Sequence, residues 1–256
     1  MTVDDLTVGL VLAAALAVFV GMFVQSAAGF GGGLAALPIL LWAGWPAPEA
    51  ICVVVAAAVA QLATGVYRYR SDVPWKPVAH VSAYRLAAIV PGIFVLDYLE
   101  DRGPIVKQAI GAAVIAAALA RAAIRVQPRP RLPAWATGVT GVISGFMASA
   151  VGIGGPPLVL WAAAHQWSTR AIRSALWSAF LISIPPLAAL MLWRFGDRVI
   201  PGWIVGAALT PVSLAGMSLG MVAVRHASPD RLRAGMLALL VILGLSTFLQ
   251  PWILGK

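Results

Sequence analysis

The fold predicted for this chain depends on two glycine-rich stretches, Gly29-Phe30-Gly31-Gly32-Gly33 and Gly152-Ile153-Gly154-Gly155-Pro156. Each precedes a short apolar run, at about 34–45 and 156–166. A 12-residue helix is only about 18 Å long, against a bilayer hydrocarbon core of about 30 Å. Each short run is therefore either a loop or a half-helix that forms a hairpin with the segment before it.

Composition places the chain in a lipid bilayer. Of its 256 residues, 61% are hydrophobic and 11% charged, and the mean hydropathy is +0.91, whereas soluble domains carry roughly 25% charged residues. The apolar stretches are long and interrupted by Gly and Pro, which predicts helices, because the strands of a membrane barrel alternate apolar and polar positions. The net charge of +9 does not indicate nucleic-acid binding, since the basic residues lie in short connectors between apolar runs.

The apolar segments form two similar series. They lie at about 6–28, 34–45, 48–67, 76–97 and 104–124, and then at about 134–151, 156–166, 171–193, 202–224 and 231–250. Besides the glycine stretches, two landmarks recur at nearly the same offset: Tyr67-Arg68 with Asp72 corresponds to Trp193-Arg194 with Asp197, and Lys107 with Gly111 corresponds to Arg231 with Gly235. This predicts an internal duplication, with a first repeat at 1–124, a basic, Pro-rich cytoplasmic linker at 125–133 and a second repeat at 134–256.

The distribution of basic residues favours half-helices over loops for the two short runs. With five segments in each half, most lysines and arginines fall on one side: Arg68, Arg70, Lys76, Arg121, Arg125, Arg129, Arg131, Arg170, Arg173, Arg225, Arg231 and Arg233. The other side then holds Arg102, Lys107, Arg194, Arg198 and Lys256, with most of the acids: Asp4, Asp5, Glu49, Asp97, Glu100, Asp101 and Asp197. Four segments in each half separate the basic residues less well. The positive-inside rule therefore selects the five-segment arrangement.

An odd number of crossings turns the second half upside down relative to the first. The predicted fold is an all-α integral membrane protein of two inverted-topology repeats, each of about five helical segments with one half-helix hairpin. The N-terminus lacks the basic region of a secretory signal, so the first apolar run is expected to remain as a membrane helix. In a bacterial inner membrane both termini are then predicted to be periplasmic. The oligomeric state stays open, with a dimer as one alternative.

The glycine stretches predict a binding site for an anion. The first turn of a helix has unpaired N–H groups and partial positive charge, and glycine lets a ligand approach the backbone. If the hairpins enter from opposite faces, both positive helix ends meet near the midplane and attract an anion. The predicted site residues here are Gly29, Gly31, Gly32, Gly33, Gly152, Gly154, Gly155 and Pro156. The alternative is that these glycines only permit close helix packing.

These stretches resemble those of the TauE/SafE family, also called the toluene sulfonate uptake permease family. The resemblance rests on the Gly-x-Gly-Gly-Gly…Pro stretch at 29–38, the Gly-x-Gly-Gly-Pro-Pro stretch at 152–157, the Tyr67…Asp72…Trp75 connector and the Arg170…Arg173 pair. It implies a polytopic protein of two repeats that exports, or takes up, sulfite or organosulfonates. The motifs consist mainly of Gly and Pro, so they identify a backbone architecture and leave the individual anion open.

Polar side chains within the apolar segments complete the predicted site. Arg85 could reach the bilayer centre and pair with two sulfonate oxygens, or it could extend toward the connector beside Lys76. The sequence offset puts Leu209 opposite Arg85 in the second repeat, so the duplication does not require the charge. Gln25, Ser26 and Ser149, which precede the glycine stretches, are expected to donate to anionic oxygens. Ser144 is a similar candidate, and for each of these the alternative is a bond within or between helices.

The predicted function is a secondary carrier for small sulfur-containing anions, working by alternating access around the two glycine loops. The alternative is an anion channel that uses the same loops as a filter. No enzyme activity, cofactor or metal is expected, because the chain has no nucleophile–base pair, P-loop or Cys/His cluster. Export is favoured over uptake, because an anion leaving a negative-inside cell gains about 2.3 kcal/mol per 100 mV.

Overall fold

The computed structural model of the protein describes residues 6–123, 126–130, 132–226 and 229–254, and these residues form α-helices with two 3₁₀ turns. The first half contains α1 (Val8–Ala28), α2 (Gly32–Trp42), α3 (Ala47–Arg68), α4 (Trp75–Glu100) and α5 (Pro104–Ala123). The second half contains α6 (Ala134–Ala150), α7 (Gly155–Ala163), α8 (Thr169–Phe195), α9 (Ile200–Ala208), α10 (Thr210–His226) and α11 (Pro229–Leu254). The predictions for the N-terminal residues 1–5, for Arg125 and Arg131 of the linker and for Lys256 lie outside the described residues.

The described helices are those of a multi-pass membrane protein. Five stretches are long and apolar enough to cross a membrane: Val8–Ala28, Ala47–Arg68, Trp75–Glu100, Thr169–Ala208 and Ala234–Ile253. As the sequence predicts, α2 and α7 are short, with 11 and 9 residues. At 1.5 Å per residue they measure roughly 16 and 13 Å, too little to cross a hydrocarbon core of about 30 Å.

One predicted segment is wrong. The sequence gives a single helix at about 202–224, whereas the structure divides it into α9 and α10 at Leu209. Pro211 has no N–H and cannot donate to the carbonyl of Ala207, four residues earlier. The hydroxyl of Thr210 donates to that carbonyl instead, at 2.7 Å.

Helices α3 and α8, the third segments of the two halves, run antiparallel. Gly65, near the end of α3, contacts Trp177, near the start of α8. At the other end, Arg198, just after α8, pairs with Glu49 in the first turn of α3 at 3.3 Å. The side that carries residues 69–74, between α3 and α4, is called the connector face below. The other side is called the opposite face.

Ion pairs collect at the opposite face. Arg198 contacts Glu100 at 2.9 Å as well as Glu49, and Arg194 pairs with Asp97. All five residues were assigned to one side by their sequence positions, and the structure brings them together there.

The first helix of each half packs against the other half. α1 packs along α10 of the second half, α6 packs along α4 of the first half, and α5 packs along α11. The contacts are close because glycine lies at each crossing. A Cβ added to Gly220 would be 2.5 Å from the carbonyl oxygen of Phe23, and one added to Gly92 would be 2.6 Å from that of Phe146. The half-helix α2 lies in the middle of this arrangement, against α1, α3 and α11, and its residues Leu34–Leu41 are mostly buried.

Candidate functional site

The two glycine loops meet inside the protein. A Cβ added to Gly33, in the first turn of α2, would be only 2.7 Å from the carbonyl oxygen of Gly152, in the loop before α7. Gly152 has a φ of 70° and Gly31 a φ of 97°, in the left-handed region that favours glycine. Local backbone geometry and the close approach of the two loops therefore both require glycine here.

A cavity of about 110 Å³ lies where the loops meet. Eight of the predicted site residues line it: Gln25, Gly31, Gly32, Gly33, Arg85, Gly152, Gly154 and Gly155. Its apolar wall comes from the centres of α3 and α8, where Val55, Ala58, Phe180 and Ile184 contribute. Because these positions are midway along two long helices, the cavity lies deep between the two faces.

Arg85 is held in this cavity by groups from the second half of the chain. Its Nε donates to the hydroxyl of Ser183 at 2.7 Å, and its Nη1 donates to the hydroxyl of Ser144 and to the carbonyl of Gly154, the latter at 3.4 Å. The guanidinium also lies 5.3 Å from the ring centroid of Phe180. Arg85 is only 4% exposed, so it does not extend toward the connector face, the alternative that the sequence left open.

The charge of Arg85 has no acidic partner within the part of the chain that the structure describes. Its Nη2 likewise has no hydrogen-bond partner there, while Nε and Nη1 are bonded. A buried charge is normally paired, because desolvation is costly. The cavity beside Arg85 is therefore electropositive and has donors available for an anion.

The half-helices add to this potential. α2 begins at Gly32 and α7 at Gly155, and neither has a side chain capping its first N–H groups. Gly32, Gly33 and Gly155 all line the cavity. Unpaired N–H groups and the partial positive charge of two helix N-termini therefore lie at its wall.

Four predicted site residues do not line this cavity. Gly29 lies beside Arg173, and Pro156 faces a smaller apolar cavity next to Phe30. Ser26 donates to the carbonyl of Phe23 within its own helix. Ser149 does the same to Gly145 and Phe146. The two serines lie against Gly220 and Gly92, on helix faces turned away from the loops.

Ser183 was not identified from the sequence, and Ser144 was only a further candidate. Both are buried and both accept from Arg85, and the hydroxyl of Ser144 also donates to the carbonyl of Gly154. A signal was present for Ser183, since it is a polar residue in the middle of a long apolar segment, two positions before Pro185-Pro186. Among the residues that the structure describes, no three His, Cys, Asp or Glu side chains are grouped closely enough to hold a metal ion.

Comparison with known proteins gives one family and one curated relative. The family model described as "Sulfite exporter TauE/SafE" matches residues 13–247. The "Probable sulfite/organosulfonate exporter TauE" of Cupriavidus necator is 25% identical over 239 residues, covering 91% of this chain and 93% of that protein. No solved structure matches the chain.

Proposed function

The chain belongs to the sulfite exporter TauE/SafE family, and from this premise we propose that it exports sulfite or organosulfonate anions by alternating access around its two glycine loops. Membership of a transporter family makes it a multi-pass membrane transporter and not an enzyme. The anion, the direction and the loop mechanism are the content of the proposal.

One observation carries it: the unneutralised guanidinium of Arg85 lies at the same cavity as the uncapped N-termini of α2 and α7. A sulfite or sulfonate group presents several oxygens that accept hydrogen bonds. Arg85 donates from Nη2, and the first-turn N–H groups of Gly32 and Gly155 donate from the loops. Ser144 and Ser183 hold the guanidinium in place from behind. A cavity of about 110 Å³ admits a group of this size.

Inverted repeats, with boundaries at 1–124, 125–133 and 134–256, are part of the proposal. The antiparallel packing of the equivalent helices α3 and α8 supports them. The packing of the first helix of each half against the other half also supports them. Gly220 of α10 contacts Phe23 and Ser26 of α1, and Gly92 of α4 contacts Phe146 and Ser149 of α6 in the same way. Extending that correspondence along α4 and α10 pairs Arg85 with Ser213 and not with Leu209, the position that the sequence offset indicates.

The positive-inside rule supports a cytoplasmic connector face and periplasmic termini, in a bacterial inner membrane. Three basic residues lie at or beside the connector face: Arg68, Arg70 and Lys76. The acids that pair with Arg194 and Arg198 lie at the opposite face. An anion moving outward then gains about 2.3 kcal/mol per unit charge per 100 mV. Export is therefore proposed to need no coupling ion.

Flux of sulfite from liposomes that contain the purified protein tests this function. With a potassium gradient and valinomycin, an inside-negative potential should accelerate efflux, and unlabelled sulfite on the far side should drive counterflow of labelled sulfite. Arg85→Gln should abolish both, whereas Arg102→Gln, an exposed arginine stacked on Tyr98, should leave both unchanged. A rate of sulfite efflux that does not change with the membrane potential would contradict electrogenic export. A large unitary conductance without counterflow would identify a channel instead.

A further inference from the structure

Trp177 of α8 lies directly over Gly65 of α3, on the connector side of the cavity. A Cβ added to Gly65 would be 2.2 Å from Cε3 of the indole, so only glycine leaves room for the ring. Trp177 is 2% exposed, and its ring centroid lies 6.1 Å from that of Tyr69 in the connector. The indole therefore fills the space between α3 and α8 at this level.

α8 places Trp177 in a row of residues that leads from the connector face to the cavity. Arg173, Trp177, Phe180 and Ile184 follow at spacings that put them on one helix face. Phe180 and Ile184 line the cavity. Trp177 is about one helical turn, or about 5 Å, from Phe180, and Arg173 is about one turn further out.

Buried polar groups without partners lie on three helices, between the connector-side end of the cavity and Trp177. They are both amide atoms of Gln61 on α3, the hydroxyl of Ser82 on α4, and the indole N–H of Trp177 and the hydroxyl of Ser178 on α8. Each of these side chains is at most 3% exposed, and none has a hydrogen-bond partner among the described residues. Gln61 lies between the cavity-lining residues Ala58 and Leu62, and Ser82 precedes the cavity-lining Arg85 by three residues. Gln61 therefore lies at the connector-side end of the cavity, and Ser82 lies about one turn further toward the connector face.

Such a group of polar atoms is unusual in a packed interior. Burying a polar group without a partner is unfavourable, and native cores contain few of them. Apolar side chains at these positions would pack without that penalty. Polar side chains within a membrane protein commonly face a water-filled cavity or the pathway of a substrate.

Arg173 lies at the outer end of the same row. Its Nη2 is 3.5 Å from the carbonyl oxygen of Ala27 at the end of α1, and its Cγ is 3.7 Å from where a Cβ on Gly29 would be. No carboxylate pairs with it within the described ranges. A second unneutralised cation therefore lies between the connector face and the cavity.

We propose that Trp177 is the gate on the connector side of the cavity, that Gln61, Ser82 and Ser178 line the passage it closes, and that Arg173 attracts the anion to the mouth of that passage. The physiological role of this gate rests on the proposed transport function. In the conformation described here the gate is closed, with the indole over Gly65. Movement of α8 away from α3 takes the indole off Gly65 and opens the cavity to the connector face.

Cysteine accessibility in the full chain tests the gate. Cys52 is the only cysteine and is buried, so Cys52→Ala gives the background. Gln61→Cys and Ser178→Cys are introduced singly, and the rate of reaction with the anionic reagent methanethiosulfonate ethylsulfonate is measured by mass spectrometry in nanodiscs. Adding Trp177→Ala should raise both rates at least tenfold, and Trp177→Phe should raise them much less. Ser213→Cys is the matched control, because Ser213 is buried but bonded to the carbonyl of Ala57 at 2.7 Å, and its rate should not change.

The role of Arg173 has its own readout. In the Trp177→Ala background, Arg173→Gln should slow the anionic reagent severalfold and leave the cationic methanethiosulfonate ethyltrimethylammonium unslowed. An equal effect on both reagents would overturn the electrostatic role. If Trp177→Ala fails to fold, Trp177→Leu is used, since it keeps an apolar side chain that covers less of Gly65.

Unchanged labelling at Gln61→Cys and Ser178→Cys, or an equal rise at Ser213→Cys, would overturn the gate. These labelling rates do not depend on transport. A Trp177-dependent rise in a protein that moves no sulfite would therefore remove the proposed function and leave the gate. Sulfite flux without any such rise in the labelling rates would leave the proposed function and remove the gate.

Discussion

The carbonyl oxygen of Gly152 occupies the place beside Gly33 where a side chain would otherwise lie, since a Cβ on Gly33 would be 2.7 Å from it. Two loops more than a hundred residues apart are thus in backbone contact, with no side chain between them. The contact holds the N-terminus of α2 close to the loop that begins α7. Arg85 lines the same cavity, so the spacing of the loops sets the size and potential of the site.

Gly33→Ala is expected to separate the two loops. The neighbouring atom is backbone and cannot turn aside, so the free energy of unfolding should fall by about 1–3 kcal/mol, as for other overpacked sites. Sulfite should also no longer raise the melting temperature of this variant. Gly235→Ala is the control, because a Cβ there meets nothing within 4 Å, and it should be neutral or slightly stabilising. Thermal unfolding of both variants, with and without sulfite, makes the comparison. Unaltered ligand stabilisation in Gly33→Ala would contradict a site formed by both loops.

The ion pairs at the opposite face should differ in their contribution to stability. Arg198 contacts Glu49, whose side chain is fully buried, whereas Arg194 pairs with Asp97, which is 21% exposed. Arg198→Gln should lower the free energy of unfolding by about 1–2 kcal/mol, because the buried carboxylate of Glu49 and the carboxylate of Glu100 both lose a charged partner, while Arg198 itself is partly solvated. Arg194→Gln should cost no more than about 1 kcal/mol. Equal losses in denaturant unfolding would show that burial of Glu49 is not what matters.

Stability should depend on the ionisation of His165, which lies in the loop between α7 and α8. Burial lowers the pKa of His165, although its hydrogen bond with the carbonyl of Trp161 opposes the shift. The unfolded chain then binds a proton more readily than the folded protein, so stability is lost as pH falls below about 6.5. His165→Phe keeps a ring to stack on Trp167, 3.9 Å away, and removes the titration. The drop in melting temperature between pH 7.5 and pH 5.5 should therefore shrink in this variant.

The exposed His226 is the control for that measurement. His226→Phe should leave the pH dependence as it is in the unaltered protein. A drop of the same size in all three proteins would exclude His165 as its source.

The helices of the fold could largely be predicted from the sequence, because a bilayer requires long apolar helices. Segment lengths and glycine positions gave α2 and α7 as short helices, and charge placed Glu49, Asp97 and Arg198 on one side. The division of α9 from α10 was not predicted, because proline is tolerated inside membrane helices and does not by itself mark a helix end. In this protein Pro38 lies inside α2 and Pro91 inside α4 without dividing them.

The site was harder to predict, because closeness in sequence to a glycine loop does not determine which way a side chain points. Ser26 and Ser149 precede the loops but face Gly220 and Gly92 on other helices. Ser183, which accepts from Arg85, is 98 residues away from it in the chain. Whether Arg85 lies inside or extends to the surface depends on such distant partners, and a single sequence does not show them.

Binding of sulfite to the purified protein by titration calorimetry tests the proposed site most directly. The unaltered protein should bind one sulfite per chain, and Arg85→Gln should bind it at least tenfold more weakly, a loss of about 1.4 kcal/mol or more, because the charge and the Nη2 donor are both removed. Arg102→Gln, which changes an exposed arginine away from the cavity, should bind as the unaltered protein does. Equal affinity in Arg85→Gln and the unaltered protein would contradict a sulfite site at the meeting point of the two glycine loops.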